Sequence, residues 1–470
     1  MGTTLVLLGV YAALLVAAGA WATRRVRGSG DFFVASRSLS GGLVFATLLA
    51  ANIGAGSTVG ATGLGYRHGL SAWWWSGSAA IGCVVLGLAV APRLHRLAAA
   101  HGFFTVGDFL EWRFDRSVRV LISAILWLGT LSLLAGQLIA MAWAFEVIAG
   151  LPRLAGALLS ALVLVAYFSG GGLLASAAVN LVQLVTLLVG FALALPFAWR
   201  AAGGWSALAS AGGPSAAGYG SLGGMGLSGV LGLAVVFVPS FIASPGLIQK
   251  TFGARTPESA RRAVLLNAAA LAAFALVPAL LGMAMRRLEP GLANPELALP
   301  RLTTDVLPPW VGALALAALF AAEISTADAV LFMLSTSLSR DLYQALVRPG
   351  ADDRALLRVG RASALAGGGL AVALALLLPS VAAALVLFYS VMTASLFVPL
   401  MAGLFSRRPR AGHARLAIVA SVVVTSGLRL LLGAAGAGAW LPSLAGMAAA
   451  ALVFAAAWTR PAPASSRQLY

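Results

Sequence analysis

The chain has 470 residues, of which 60% are hydrophobic and only 10% carry a charge. Soluble domains carry about a quarter charged residues, so this composition excludes an ordinary soluble protein and favours a lipid bilayer as the surroundings. The net charge of +17 does not indicate a nucleic-acid partner, because the basic residues lie in short loops between apolar runs. The single cysteine, Cys83, excludes an internal disulfide and a cysteine-built metal site.

Apolar runs of about twenty residues recur along the chain and predict an all-α, polytopic membrane protein with about 13 transmembrane helices. The predicted helices span residues 3–23, 41–65, 70–92, 118–148, 154–172, 174–198, 227–247, 263–285, 309–338, 356–378, 380–404, 412–432 and 438–458.

The charge distribution predicts how these helices cross the membrane. The first four residues carry no basic group, whereas Arg24, Arg25 and Arg27 follow the first apolar run, so we expect a retained helix rather than a signal peptide. With the N-terminus outside, 24 of the 31 basic residues fall on the inner side. This asymmetry predicts an inner-membrane protein with an external N-terminus and a cytoplasmic C-terminus.

The second predicted helix contains five glycines between Gly54 and Gly65. Glycine at this density favours a break in the helix, and hydrocarbon tolerates unwound backbone only where it lines an enclosed cavity. Tight helix packing through Gly56 and Gly60 is the alternative.

The seventh predicted helix is interrupted by Pro239 and Pro245, five helices after the first break. Transporters built from two inverted five-helix repeats carry breaks in corresponding first helices, with substrate and ion held between them. An ordinary proline kink is the alternative. The repeats divide the chain into an extra N-terminal helix with a basic loop (1–30), a first repeat (31–200), an external loop (201–226), a second repeat (227–410), two additional helices (411–460) and a disordered cytoplasmic tail (461–470).

The ninth predicted helix places Ala322, Ser325 and Thr326 at helical spacing on one narrow face. Hydroxyls on this face, together with carbonyls freed by a broken helix, could bind a hard cation such as sodium. Hydroxyls that bond carbonyls of their own helix are the alternative. Glu323 and Asp328 flank this face, and ionisable groups at such depth are functional candidates by default.

These segments resemble the sodium/solute symporter family, whose members move sugars, proline, pantothenate, sialic acid, iodide and monocarboxylates. The resemblance covers residues 31 to about 410. It rests on the segments Asp31–Ala35, Ala51–Ser57, Gly171–Leu173 with Gln183, Gln249–Lys250 with Ala260–Arg262, and Ser325–Tyr343.

The resemblance implies a sodium site built from backbone oxygens and two hydroxyls. Its predicted members are the backbone of Ala50, Ile53 and Ala322 and the side chains of Ser325 and Thr326. Some relatives use a Thr-Asp pair in the sixth helix for a second sodium, but here the pair is Val179-Asn180. We therefore predict one sodium ion per cycle.

The solute site can be predicted only by its expected position near the midplane. The candidate contacts are Gly54, Gly56, Ser57, Gln137, Ser240, Tyr389 and Thr393. A half-helix beginning near Gly56 would suit a carboxylate, which favours a small carboxylate or an amino acid as the solute. Trp73, Trp74 and Trp75 are assigned to an aromatic belt at the membrane surface.

The sequence thus predicts a sodium-coupled symporter that imports a small organic solute by alternating access. An enzyme is not favoured, because all four histidines lie in loops or at helix ends. Two alternatives stay open: a proton-coupled symporter that uses Glu323 or Asp328, and a transporter-like solute sensor.

Overall fold

The computed structural model describes residues 33–168, 172–212, 218–433 and 436–458, together with residues 9, 13, 14 and 17. The first predicted helix and the predicted tail lie outside these ranges, apart from those four positions. Within the described ranges the regular elements are helices, with a bridge between Leu39 and Ala254. Nine helical stretches of the described chain are long and apolar enough to cross a membrane. The chain is therefore a multi-pass, all-α membrane protein, as predicted.

The first group of membrane helices follows the predicted order. Its elements are α1 (Gly41–Asn52), α2 (Ala61–His68), α3 (Trp74–Val85), α4 (Ala91–His101), α5 (Val106–Arg113), α6 (Arg116–Ala149), α7 (Arg153–Phe168) and α8 (Gly172–Ala201). π-helical turns precede α2 and α4, at Gly56–Gly60 and Leu86–Val90. The short α5 occupies part of a segment that the sequence interpretation treated as a loop.

The second group repeats this pattern after a short helix, α9 (Gly204–Ser210). Its elements are α10 (Gly226–Ile242), α11 (Pro245–Phe252), α12 (Pro257–Phe274), α13 (Leu276–Leu288), α14 (Ala298–Arg301), α15 (Pro309–Thr336), α16 (Gln344–Leu346), α17 (Asp353–Leu377), α18 (Val381–Met392) and α19 (Val398–Phe405). The last two are α20 (Ala411–Leu432) and α21 (Leu441–Trp458). Each of the twelve predicted helices from residue 41 onward overlaps one of these elements.

The two predicted breaks are present and have different causes. After α1 the backbone of Ile53 is extended, with φ −100° and ψ 96°, and the glycine-rich segment restarts as a π-helical turn at Gly56. In the second group α10 ends at Ile242, and α11 begins at Pro245 with the Ser244 hydroxyl accepting a hydrogen bond from the amide of Leu247. Proline at the first helical position has no amide hydrogen that needs a partner.

Helices α8 and α15 pack along each other, and α1 packs against both of them. Close approach is achieved with small residues: a Cβ on Gly190 of α8 would lie 2.8 Å from the backbone oxygen of Leu314 on α15. The break after α1 is therefore held against a tightly packed pair of helices, and it faces the middle of α15.

Candidate functional site

The face predicted on α15 meets the carbonyl end of α1. The Ser325 hydroxyl donates to the carbonyl oxygen of Ala50 at 2.8 Å and lies 3.0 Å from that of Ala322. The Thr326 hydroxyl lies 3.3 Å from the carbonyl oxygens of Ala50 and Ala51. Ser325 is fully buried and Thr326 is 7% exposed. The structure thus gathers oxygens of two helices that are far apart in sequence.

The helix break explains why these carbonyls are accessible. A helix leaves its last four carbonyls without partners in the helix, and α1 ends at Asn52, so Ala50 and Ala51 fall in this group. Ile53, the fifth predicted member, is the extended residue at the break and is fully buried. The oxygens brought together here are neutral. No cluster of three His, Cys, Asp or Glu residues suited to a metal occurs in the described chain.

A cavity lies beside these oxygens, at the break itself. It is narrow and partly open: about 350 Å³ of space lies between its atoms, some of it open to solvent, but the centre of a water-sized sphere can occupy only about 20 Å³ of it. Five predicted solute contacts line it: Gly54, Gly56, Ser57, Gln137 and Tyr389. Thr326 lines the cavity as well, so the two predicted sites share a wall.

Two predicted solute contacts, Ser240 and Thr393, do not line this cavity. Their hydroxyls lie 2.6 Å apart, and both donate to the carbonyl of Val236, at 2.7 Å and 2.8 Å. Ser240 also contacts the carbonyl oxygen of Tyr389. These bonds tie α10 to the end of α18, so Ser240 and Thr393 lie outside this cavity, and their contact with the solute stays a prediction.

The cavity has an aromatic wall, which we define as Trp75, Phe237, Phe241 and Tyr389. The Phe237 ring centroid lies 4.7 Å from those of both Trp75 and Tyr389, and Phe241 lies 5.4 Å from Tyr389. Trp75 is 4% exposed, so its assignment to a surface belt was wrong. The spacing of Phe237 and Phe241, four residues apart on one helix, is a signal that could have predicted this wall.

Two fully buried side-chain atoms of the lining lack a partner among the described residues. One is the amide nitrogen of Gln137, and the other is the hydroxyl of Ser76. Gln137 is fully buried, and its carbonyl oxygen accepts the Ala55 amide at 2.9 Å, which fixes the side chain against the break. Ser76, like Asn52 in the lining, was missed by the sequence interpretation.

Glu323 is fully buried on α15, next to the break but outside the cavity lining. Its Oε1 atom accepts the hydroxyl of Thr58 at 2.9 Å, while Oε2 has no partner among the described residues. The carboxyl therefore links α15 to the half-helix that restarts after the break.

Asp328 lies about one turn further along α15 and faces α8. Its carboxylate accepts the hydroxyl of Ser176, which in turn accepts the amide nitrogen of Asn180 at 3.1 Å. The buried ammonium of Lys250 interacts electrostatically with Asp328 and donates to the carbonyl of Thr47 at 2.9 Å. This group connects α1, α8, α11 and α15 near the predicted sodium site.

Glu296 lies in the segment before α14, where it contacts α6 and the start of α18. Its carboxylate accepts the amides of Val381 and Ala382, at 2.9 Å and 3.1 Å, and the indole of Trp143 at 3.3 Å. Burial raises the pKa of Glu296, and these hydrogen bonds oppose that shift. The bonds place a carboxylate at the N-terminus of α18, where the helix dipole favours negative charge.

A buried ion-pair network lies at the end that the predicted topology places in the cytoplasm. The guanidinium of Arg119 contacts Asp108 at 2.8 Å, Glu111 at 2.7 Å and Asp341 at 2.9 Å. The Thr105 hydroxyl also donates to Asp341, at 2.7 Å. The network joins α5, α6 and the π-helical extension of α15, Ser337–Tyr343.

The broken helices, the oxygens between α1 and α15 and the cavity beside them agree with the match of the sequence to a family model. The model of the Sodium:solute symporter family matches residues 32–419. The chain belongs to this family. Its relatives and structural neighbours are transporters rather than enzymes.

Several transporters of other organisms, one of them uncharacterized, are similar to this chain. It is 26% identical over 460 residues to the sodium/glucose cotransporter of Vibrio parahaemolyticus, covering 88% of the chain and 82% of the relative. It is 27% identical over 329 residues to the sodium/pantothenate symporter of Escherichia coli, covering 67% and 66%. The symporter YidK of Escherichia coli is 28% identical over 372 residues, and the match spans 74% of this chain and 64% of YidK.

Solved structures show the same fold. A substrate-bound, outward-open Na⁺-coupled sialic acid symporter superposes with a TM-score of 0.80 over 98% of both chains, at 18% identity. Mhp1, a nucleobase-cation-symport-1 family transporter in a closed conformation, superposes with a TM-score of 0.59. The match covers 92% of this chain and 96% of Mhp1, at 13% identity.

Proposed function

We propose that this family member imports a small organic solute together with one sodium ion by alternating access between the two sides of the inner membrane. The observation that carries the proposal is the meeting of Ser325 and Thr326 with the carbonyls of Ala50 and Ala51 beside the cavity. A solute at the cavity and an ion at these oxygens would be separated only by Thr326 and the backbone of the break.

The proposed ion ligands are the carbonyls of Ala50, Ile53 and Ala322 and the hydroxyls of Ser325 and Thr326. Each hydroxyl that now donates to a carbonyl can rotate and present its lone pair to a cation, and the carbonyls of Ala50 and Ala322 already face the Ser325 hydroxyl. Oxygen ligands of this kind suit a hard cation. Sodium would therefore fix the end of α1 against α15.

Coupling follows from this shared wall. An ion that orders the break also orders Gly54, Gly56 and Ser57, which line the cavity. If sodium raises the affinity for the solute by some factor, the solute raises the affinity for sodium by the same factor. With the predicted orientation, an inside-negative potential would add about 2.3 kcal/mol per charge per 100 mV to uptake.

For the solute we propose a small carboxylate or an amino acid. The cavity is small, its wall is largely apolar, and the half-helix that restarts at Gly56 presents its N-terminal end at the break. A sugar would bring many hydroxyls, but four of the six polar side chains in the lining already bond other parts of the protein; these four are Asn52, Ser57, Gln137 and Thr326.

A proton-coupled symporter is the second candidate, favoured by one observation. Glu323 is fully buried beside the break, and its Oε2 atom has no partner in the described part of the chain. A carboxyl in this position could bind and release a proton as the break rearranges.

Uptake into proteoliposomes tests the proposal. A panel of labelled carboxylates, amino acids and sugars is offered with an inward sodium gradient, with an inward proton gradient, or with neither. We expect sodium-driven accumulation in the wild type and its loss in the double variant Ser325→Ala/Thr326→Ala. Accumulation driven by protons alone and abolished by Glu323→Gln would refute sodium coupling and establish the second candidate.

A further inference from the structure

The buried, unpartnered side-chain atoms of the cavity at the break can donate hydrogen bonds, and this feature distinguishes between the two proposed solute classes. Two fully buried side-chain atoms of its lining have no partner among the described residues: the amide nitrogen of Gln137, which can only donate, and the hydroxyl of Ser76, which can donate or accept. Both residues are buried, at 0% and 3% exposure. A solute that fills the cavity must therefore bring an acceptor.

Three carbonyls next to the break already accept hydrogen bonds within the protein, and that of Ile53 is assigned to the proposed sodium site. That of Asn52 accepts the Ser57 hydroxyl at 2.9 Å, that of Gly54 accepts the Thr58 hydroxyl at 2.9 Å, and that of Ala55 accepts the Gly60 amide at 2.8 Å. Unwound carbonyls are the usual partners for an ammonium group where no carboxylate is present. Among the described residues of the lining there is no aspartate or glutamate either. An ammonium group would enter this cavity without a charged partner, which is costly.

A carboxylate does have a charged partner, because the proposed sodium site shares a wall with the cavity. Thr326 lines the cavity and contacts the carbonyls of Ala50 and Ala51, while Ala51 and Asn52 line the cavity themselves. A sodium ion on those carbonyls would place a positive charge directly behind this wall. The attraction is strong at short range in a buried site.

The remaining lining suits an apolar body. The aromatic wall forms one side, and Leu133, Leu271 and Leu385 contribute further apolar surface. Offset and tilted rings such as these pack well against another ring.

We propose that the solute is a small monocarboxylate with an apolar or aromatic body and no ammonium group, and that it crosses paired with the single sodium ion. This inference rests on the proposed symport and selects between its two solute classes. One sodium and one monoanion per cycle carry no net charge, so the uptake is electroneutral. An amino acid carried with one sodium would instead move one positive charge.

Three compounds with the same phenyl body test the proposal: 3-phenylpropionate, phenylalanine, which adds an ammonium group, and 3-phenylpropionamide, which removes the charge. Uptake into proteoliposomes is measured with a sodium gradient, at zero potential and at an inside-negative potential set with potassium and valinomycin. We expect sodium-driven uptake of the acid at a rate that the potential does not change. Uptake of the other two compounds should be lower by at least about tenfold, because the amide lacks the carboxylate charge and the ammonium group of phenylalanine would be buried without a charged partner.

A matched pair of serines on α3 tests the cavity directly. Ser76→Ala should weaken sodium-dependent binding of 3-phenylpropionate about three- to tenfold, the usual cost of one hydrogen bond. Ser78 is equally buried and its hydroxyl also lacks a described partner, but it does not line the cavity, so Ser78→Ala should leave binding unchanged. Equal effects of the two substitutions would contradict the placement of the carboxylate.

The outcomes separate this inference from the proposed function. Sodium-driven uptake of phenylalanine or of the amide at a rate equal to that of the acid would overturn the solute class and leave symport standing. Acceleration of acid uptake by the inside-negative potential would overturn one-to-one pairing. Absence of acid uptake, with sodium still raising the melting temperature of the purified protein, would also overturn the class. Loss of sodium dependence for every solute would instead refute the symport itself.

Discussion

The hydroxyl of Ser325 lies 2.8 Å from the carbonyl oxygen of Ala50, although 275 residues separate the two in sequence. The first belongs to the middle of α15 and the second to the end of α1, so this contact joins the two repeats. It lies where a helix end leaves carbonyls without helical partners, and there the fully buried hydroxyl of Ser325 donates a hydrogen bond to one of them.

Removal of this hydroxyl should weaken sodium binding. Ser325→Ala should raise the sodium concentration for half-maximal uptake at least about tenfold, because one of five proposed oxygen ligands is lost. Sodium titration of the initial uptake rate measures this effect, and the curve should remain hyperbolic with one ion per cycle.

A serine elsewhere on the same membrane-spanning helix provides the control. The Ser339 hydroxyl is also fully buried, but it donates to the carbonyl of Ser335 within its own helix. Ser339→Ala should leave the sodium titration unchanged. If it shifted the titration as much as Ser325→Ala does, the effect would be general loosening of α15 rather than loss of an ion ligand.

The glycine at the break should be intolerant of a side chain. A Cβ at Gly54 would overlap the hydroxyl of Thr326 and lie 2.6 Å from its Cβ atom. Gly54→Ala should therefore separate α1 from α15 and abolish sodium-dependent uptake, while sodium should no longer raise the melting temperature. Thermal unfolding of the purified variant with and without sodium checks this.

Gly369 in α17 is the matched control, because a Cβ there would meet nothing within 4 Å. Gly369→Ala should retain uptake and gain slightly in stability, since alanine favours a helix by about 1 kcal/mol over glycine. A Gly54→Ala variant with normal sodium response would show that the ion does not bind between these helices.

The structure brings the predicted sodium-site residues together more completely than the predicted solute contacts, and the reason is periodicity. Helical spacing places Ser325 and Thr326 on one face of their helix. The glycines around Gly54 predict the break in the helix that packs against this face. The cavity instead draws residues from seven helices, and no local pattern specifies which of them converge. Ser240 lies outside this lining, and its hydroxyl bonds the carbonyl of Val236 one turn earlier on its own helix.

Trp75 is a second residue whose position no local sequence pattern specifies. Three consecutive tryptophans near a helix end are typical of a membrane interface, yet they point in different directions around the helix axis. Trp73 and Trp74 donate to the carbonyls of Ala272 and Leu222, while Trp75 turns into the cavity. Only the packing of α3 against α10 and α12 determines which of the three faces inward.

The buried carboxylate of Glu296 should make stability depend on pH. Its pKa is raised by burial from a reference value of 4.5, so the folded protein binds this proton more tightly than the unfolded chain does. Its contribution to stability is therefore complete below about pH 4.5 and is lost as the pH rises through the raised pKa. Glu296→Gln should flatten the melting temperature over this window.

At neutral pH the same substitution removes one of the carboxylate oxygens that accept the amides of Val381 and Ala382, which should cost about 1 kcal/mol. Glu289 is the control: it pairs with Arg301 while about a third exposed, and such pairs contribute about 0–1 kcal/mol. Glu289→Gln should leave the pH profile unchanged. Identical profiles for wild type and Glu296→Gln would contradict the assignment.

The Arg119 network should be the most sensitive electrostatic feature at the proposed cytoplasmic end. Arg119→Gln leaves the carboxylates of Asp108, Glu111 and Asp341 without their shared cation, two of them nearly buried. Breaking a buried pair on one side costs about 3–5 kcal/mol. We expect a large fall in melting temperature, and greater accessibility of an engineered cysteine at Thr336, which lines a second cavity beside Asp341.

Arg415 supplies the comparison, because it contacts Asp115 at 3.0 Å with about half of its side chain exposed. Arg415→Gln should change the melting temperature little, since exposed pairs contribute less than about 1 kcal/mol. The double variant Arg119→Gln/Asp341→Asn should recover part of the stability lost in Arg119→Gln, because it removes one of the unpaired charges. Strictly additive losses would show that the two residues act independently and that the network does not hold α5, α6 and α15 together.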